Sequence, residues 1–235
     1  PTVADRVAHM KKEHVRKALI EEGISAGDMR GLARMIHPFG MDATPNLDFD
    51  RKQSLAQLAE AEGRDPVETY VDRLIASEGR EYFNMWMFGG NLENQWNYMR
   101  LPHVVPMLGD AGAHVGFFTD TDSPTVLLSE LTRKQGVYTL EEAIHRITGK
   151  SAEIIGLKER GELKEGWHAD INVIDYENLS THHAEYLNDF PHGGGRFTVK
   201  SSGYDATIVA GQVVVRNCEH SGQRPGEVIR EFHRG

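Results

Sequence analysis

The stretch that decides the fold is His103-Val104-Val105-Pro106-Met107-Leu108-Gly109-Asp110-Ala111-Gly112-Ala113-His114. A short apolar run ends in Gly and Asp. Such a run, without polar alternation, predicts a strand of a parallel sheet buried on both faces. Pro106 cuts against a regular ladder, because proline has no N–H to donate. The glycines beyond the run let the backbone turn sharply and approach a ligand. In (β/α) barrels the C-terminal ends of the strands are where reactive side chains converge. Asp110 stands at that place. A carboxylate there can bind a divalent ion, or take a proton from water and return it to a leaving group. His114, four residues on, is placed to hydrogen-bond that carboxylate or a substrate. The plain alternative is that Asp110 caps a turn and His114 is a loop residue.

Upstream, Val3, Val7, Met10, Val15, Ala18 and Leu19 recur at helical spacing, and Gly23 is expected to end that pattern. The segment 37–46, rich in turn residues, predicts no regular element. Leu55, Leu58 and Ala59 predict a short helix stopped by Gly63. Asp65-Pro66 opens the next, since Asp caps well and Pro suits the first turn. Val67, Tyr70, Val71, Leu74 and Ile75 give it one apolar face. The two form a helical hairpin. Residues 82–99 crowd aromatic and Met side chains together. They read as core or as the wall of an apolar pocket.

Downstream, a helix is expected from Ser123-Pro124, with Val126, Leu127, Leu128 and Leu131 inward and Gly136 at its end. Asp120 and Asp122 either cap it or repel an anionic ligand; capping is the simpler reading. Thr139-Leu140-Glu141-Glu142 is a capping-box sequence. A third helical piece runs to Gly156. From Gly161 the texture becomes short strands and glycine turns, with a hairpin at Ala210-Gly211. The stretch 189–197 reads as a glycine-rich connector, with a lid as its alternative. The tail from Gly222 reads as surface-wrapping or frayed.

Composition narrows the field. The 235 residues carry 26 basic and 35 acidic side chains, a formal charge of −9, and 39% apolar residues. An acidic chain is a poor surface for nucleic acid or anionic membrane. No apolar run is long enough to span a bilayer. The single cysteine, Cys218, excludes an internal disulfide and an all-Cys zinc site. A cytoplasmic location fits that cysteine use. The sequence starts at Pro1 rather than Met, and it reads as a trimmed or partial chain.

Several stretches share a resemblance. Leu108–Gly116 resembles the last barrel-strand signature of the N-acyl-D-amino-acid deacylases, within the metal-dependent amidohydrolase superfamily. Residues 138–148 are similar to that family's helix after the last barrel strand. Residues 152–175 resemble the return from barrel to β-sandwich, 206–214 the closing hairpin, and 221–230 the deacylase tail. The likeness spans roughly residues 50–232.

It implies an α/β fold: the C-terminal portion of a TIM-like (β/α)8 barrel over 1–157, followed by a small β-sandwich portion and tail over 158–235. It implies hydrolysis of an amide, typically that of a small-molecule N-acyl-D-amino acid, with one or two Zn2+ ions activating water. Asp110 matches the last-strand aspartate, implied to be both metal ligand and proton shuttle. His114 and Gly112 match the motif as catalytic and substrate-binding positions.

Other family features have no counterpart here. The chain has no His-x-His pair, no early-strand bridging ligand, and no middle-strand histidine pair. His182-His183 read as surface residues, because adjacent side chains on a strand face opposite ways. Zinc needs three or more protein ligands. The chain is therefore expected to be inactive alone and to partner the missing N-terminal portion of the same protein, or to self-associate through an open sheet edge. No Arg follows the aspartate motif, which leaves Arg100 and Arg133 as candidates for a substrate carboxylate. Two other readings stay open: a cyclic-amide hydrolase of the dihydroorotase or hydantoinase kind, and a non-catalytic scaffold that binds a partner through 82–99.

Overall fold

The computed structural model describes residues 2–40, 53–85, 92–106, 109, 112–116, 120–230 and 232. The protein is mixed α/β and divides into two compact units, Pro1–Asn91 and Leu92–Gly235. The boundary expected near residue 158 falls inside the second unit.

The first unit is helical with one small hairpin. Its elements are α1 (Val3–Met10), α2 (Glu13–Ala26), α3 (Asp28–Leu32), β1 (Ile36–Gly40), α4 (Leu55–Glu62), α5 (Pro66–Ala76) and β2 (Tyr82–Met85). The helix starts are built as the sequence suggests. The Asp65 carboxylate accepts from Val67 N at 2.9 Å with Pro66 behind it, and α4 stops at Gly63 in the left-handed region. Leu55, Ala59, Val67 and Val71 are buried along the α4–α5 hairpin.

Gly23 departs from expectation. It sits inside α2, which ends instead at left-handed Gly27. The reason is close helix approach: a Cβ on Gly23 would lie 2.6 Å from Val67 Cγ1. Gly23→Ala should therefore cost about 1–2 kcal/mol in urea unfolding, since overpacking outweighs the helix-propensity gain of about 1 kcal/mol. With Val67→Ala making room, the same substitution should stabilise.

The segment 37–46 also departs. Its first residues form β1, paired antiparallel with β2 through Ile36↔Met85 to Gly40↔Tyr82, with an irregularity at Pro38/Gly40. Phe83 then meets Tyr70 with ring centroids 4.9 Å apart. Residues 41–46 lie outside the described residues.

Charge ties α2 to α5. Arg16 reaches Asp72 at 2.6 Å and Glu68 at 3.0 Å, and Arg64 pairs with both acids. Hydrogen bonds from Arg16 hold both carboxyls below their ordinary range. Acids with depressed folded values stabilise above their unfolded pKa of about 4 and lose that contribution as pH falls through the folded value. These groups are about one-third exposed, so the contribution is about 1 kcal/mol or less. Asp72→Asn should flatten the acid limb of stability between about pH 5 and 2.

The second unit begins with α6 (Leu92–Met99). Of the strand expected from 103 onward, residues 103–106 carry no strand, residues 101–106 forming a turn and irregular backbone; 107, 108, 110 and 111 lie outside the described residues. Arg146 is one physical reason: its guanidinium takes the Val104 carbonyl, which a sheet would have used in a ladder, along with the carbonyls of Met99, Arg100 and Leu101 just before the run. Every strand pairing among the described residues is antiparallel.

A 3-10 turn (Asp120–Asp122) leads into α7 (Ser123–Val126), a π-helical stretch (Leu127–Lys134), α8 (Leu140–Ile147) and α9 (Gly149–Ile155). Ser129 Oγ bonds back to Thr125 O at 2.8 Å, at the join where the helix widens. At Thr139 only half of the capping box forms. Its hydroxyl accepts from Glu142 N at 3.2 Å, while the Glu142 carboxylate goes to Arg146. Leu127, Leu128, Val137, Tyr138, Ala143 and Leu179 make the core, with Trp96 and Met99 against it. For these two, the core reading of 82–99 is the right one. Tyr98 is exposed, and Trp86 and Phe88 lie outside the described residues.

The β part comprises β3 (Ile171–Ile174), β4 (Ser180–Thr181), β5 (Glu185–Leu187), β6 (Arg196–Thr198), β7 (Ser201–Ser202), β8 (Tyr204–Val209), β9 (Gln212–Arg216) and β10 (Glu219–His220). One sheet has the order β10-β9-β8-β3; β4 pairs with β7 and β5 with β6. The β8–β9 hairpin turns at Ala210 and Gly211, φ 47° and 76°, as two-residue hairpins with a right-handed twist require. Residues 222–230 carry no regular element.

Candidate functional site

The candidate site lies in the sequence that follows the 103–108 run. Asp110 and Ala111 lie outside the described residues; Gly109 and residues 112–116 do not. Gly109 has no room for a side chain. A Cβ there would lie 2.7 Å from Asp120 Oδ2, 2.9 Å from its Cγ and 3.1 Å from its carbonyl oxygen. Gly112 and His114 are exposed, and the carbonyl of Val115 accepts from Phe197 N at 2.8 Å. Sequence neighbours of Asp110 are thus in contact with two distant segments of the same unit.

Asp122 does not play the capping role expected of it. Asp122 occupies the N-cap position of α7, yet its side chain makes no capping bond. Pro124 removes the N–H at the second helical position, one of the two that a cap would serve. The Asp122 carboxylate instead accepts from Thr181 Oγ1 in β4. Burial pushes the Asp122 carboxyl up; the Thr181 bond opposes this, and the nearby Asp120 charge adds to it. Thr181 is 1% exposed. Beside it, Thr125 Oγ1 lies 3.1 Å from Ser201 Oγ and 3.0 Å from Tyr204 Oη. This buried polar network has no periodic sequence signal. Its only trace was the Asp-x-Asp spacing ahead of a proline.

The two arginines considered for a substrate carboxylate both donate to backbone carbonyls. Arg100 Nε donates to Val137 O at 2.9 Å. Arg133 serves the carbonyls of Tyr176, Glu177 and Leu179. Both are ordering backbone. Of the histidine pair, His182 is exposed, but His183 is half-buried with both ring nitrogens out of solvent, so the surface reading holds for one of the two. The stretch 189–197 joins β5 to β6, with Arg196 and Asp189 paired at 2.7 Å.

A groove of about 590 Å³ lies between α8 and β3, lined by Leu128, Ile144, Ile147, Ile171, Ile174 and Tyr204 among others. Gly112 and His114 do not line it. Among the described residues, no group of three or more His, Cys, Asp or Glu is arranged to hold a metal. No described helix is long and apolar enough to cross a membrane.

Against known proteins, residues 3–215 match the model of the Amidohydrolase family. The chain belongs to that family. It is 34% identical over 105 residues to an N-acyl-D-aspartate deacylase of Alcaligenes xylosoxydans xylosoxydans, covering 45% of this chain and 19% of the relative. It is 29% identical over 184 residues to an N-acyl-D-glutamate deacylase of the same organism, covering 76% and 33%. A dihydroorotase of Lactobacillus acidophilus is 34% identical over 73 residues, covering 31% and 17%. The chain thus spans between one-sixth and one-third of the length of these relatives.

Proposed function

We propose that this chain is the C-terminal part of a metal-dependent hydrolase of non-peptide amide bonds, similar to the N-acyl-D-amino-acid deacylases. The observation that carries this reading is the family match over 3–215 together with deacylase relatives aligned to this chain. On this reading residues 1–157 complete a barrel and 158–235 supply a β-sandwich portion.

Asp110 is the acting group. Its carboxylate takes a proton from the attacking water and delivers it to the departing amine nitrogen, so that one residue serves as base and then as acid. His114 orients that carboxylate or the substrate, and the exposed backbone at Gly112 lies against the substrate. Zinc would supply carbonyl polarisation and a more acidic water. The described residues offer no ligand set that fits it. Asp110 would be one ligand and the others would come from outside this chain, so the chain alone is expected to be inactive.

A cyclic-amide hydrolase is the second reading, supported by the dihydroorotase relative. Both readings break a C–N bond of a small molecule. An assay separates them: N-acetyl-D-amino acids and dihydroorotate offered, with Zn2+, to this chain alone and to the longer polypeptide that carries it. The expected result is turnover of an N-acetyl-D-amino acid by the longer polypeptide only. Turnover by the purified chain alone overturns the partial-site reading. Dihydroorotate as the sole substrate moves the protein to the second reading.

A further inference from the structure

We propose that the groove beside β3 receives the C-terminal tail, residues 222–230, of a second copy of this chain, each copy giving its tail to the other. Nothing in this pairing depends on the catalytic reading above.

β3 is the last strand in the order β10-β9-β8-β3, so among the described residues it has a strand neighbour on one side only. Such an edge offers backbone N–H and C=O groups to an extended segment laid beside it. The edge is also apolar. An irregularity between Val173 and Ile174 breaks the two-residue alternation, and Ile171 and Ile174 both line the groove of about 590 Å³ against α8. Ile144 and Ile147 line it from α8, and Leu163 lines it while 78% exposed. An open strand edge beside apolar pockets is the geometry that takes up an added strand.

The tail has the matching character. Residues 222–230 carry no regular element, and Val228 and Ile229 stand exposed, Val228 by 77%. Charge fits as well. Asp170 and Asp175 bracket β3, about 17 Å apart along an extended strand, and Arg224 and Arg230 bracket the apolar pair of the tail, about 20 Å apart when extended. Asp170 is paired with Arg160, and Glu162 with Lys164 at 2.5 Å. With Glu141 and Asp175 added, the groove and its ends still hold four acids against those two bases, whereas the tail sets two arginines against Glu227. The same acids disfavour a second β3 as the occupant, because antiparallel pairing would set Asp170 against Asp175.

The tail comes from another copy. Within one chain it leaves the sheet from β10, the edge opposite β3, and none of residues 222–230 lines the groove. Exchange of tails is reciprocal and closes a two-fold dimer.

Sedimentation of the purified chain tests this. A monomer–dimer equilibrium is expected between about 1 and 100 μM. Val228→Asp changes an exposed side chain, so the monomer keeps its fold, but it should weaken the dimer by about 100-fold, since the carboxylate would have to enter an apolar groove. A chain ending at Gly222 should be monomeric throughout. Arg230→Glu should weaken the dimer about tenfold, and raised salt should act in the same direction. In hydrogen exchange, those amides of 171–174 that face away from β8 should be slowed about tenfold in the dimer and released in the Val228→Asp chain. A chain that stays monomeric across that range overturns the proposal. So does a dimer that survives removal of the tail, since another surface then forms it. A monomer whose β3 amides are slowed only while the tail is present also overturns it, because the chain's own tail is then the occupant.

Discussion

Replacing Asp110 by Asn in the polypeptide that carries the complete site should lower kcat for N-acyl-amino-acid hydrolysis by about 10³-fold. General acid–base groups contribute typically 10²–10⁴-fold, and a carboxylate that moves the proton both ways is lost for both steps. Asn keeps the size and cannot accept the proton. KM should change little, because binding of the ground state does not depend on that transfer. The acid limb of the pH–rate profile should vanish with the carboxylate. A variant with kcat within about fivefold of the parent would show that Asp110 only shapes the turn. Unchanged unfolding curves would keep a folding defect from imitating the loss.

The second large effect is structural. Arg146 has a relative exposure of 7% and donates to four backbone carbonyls and to Glu142. Its guanidinium also lies over the Tyr138 ring, 4.9 Å from the centroid. Tyr138 Oη in turn donates to Met99 O at 2.7 Å. Residues 100–104, beyond the end of α6, carry no regular helix or strand of their own. Arg146→Met should therefore cost about 2–3 kcal/mol in urea unfolding, because the carbonyls of Arg100 and Val104 lose their donor, while Met99 O keeps Tyr138 and Leu101 O keeps Val104 N. Arg146→Lys should recover less than half, since an ammonium has no planar fork to span carbonyls on both sides. A loss below about 1 kcal/mol for Arg146→Met would mean that water or neighbouring backbone serves the carbonyls instead.

Arg146 also shows where sequence reading ran out. Helix starts and tight turns were legible because the signal is local: Asp65-Pro66 at α5, Gly63 after α4, Gly156 after α9, Ala210-Gly211 in the β8–β9 hairpin. Each depends on a few adjacent dihedrals and one side chain. Gly23 misled because a helix-interior glycine and a helix-ending one look alike until Val67 is known to press against it. The run at 103–106 misled for a related reason. The run is apolar, but one of its carbonyls, Val104 O, is taken by an arginine some forty residues away. A signal existed: Arg146 stands three residues from buried Ala143, on the inward face of an amphipathic helix, where a charge needs partners.

The candidate site divides in the same way. The Gly-Asp-x-Gly motif marks the turn, and the family match agrees with the resemblance it carried. The polar network around Asp122 is non-local. Thr181 and Asp122 come together through a side-chain hydrogen bond between β4 and the start of α7, and β-strand pairs of two residues leave no periodicity to read. Arg100 and Arg133 are charged and near the motif in sequence. The structure gives Arg133 and the Arg100 Nε to backbone carbonyls.

On the proposed reading, Asp110 is one arm of a metal grip completed by ligands from outside this chain. A crystal structure of the longer polypeptide loaded with Zn2+ decides it. An Asp110 carboxylate oxygen is expected about 2.0–2.2 Å from zinc, with histidines from upstream sequence in the remaining positions. An Asp110 side chain turned to solvent, with zinc bound elsewhere, would contradict it.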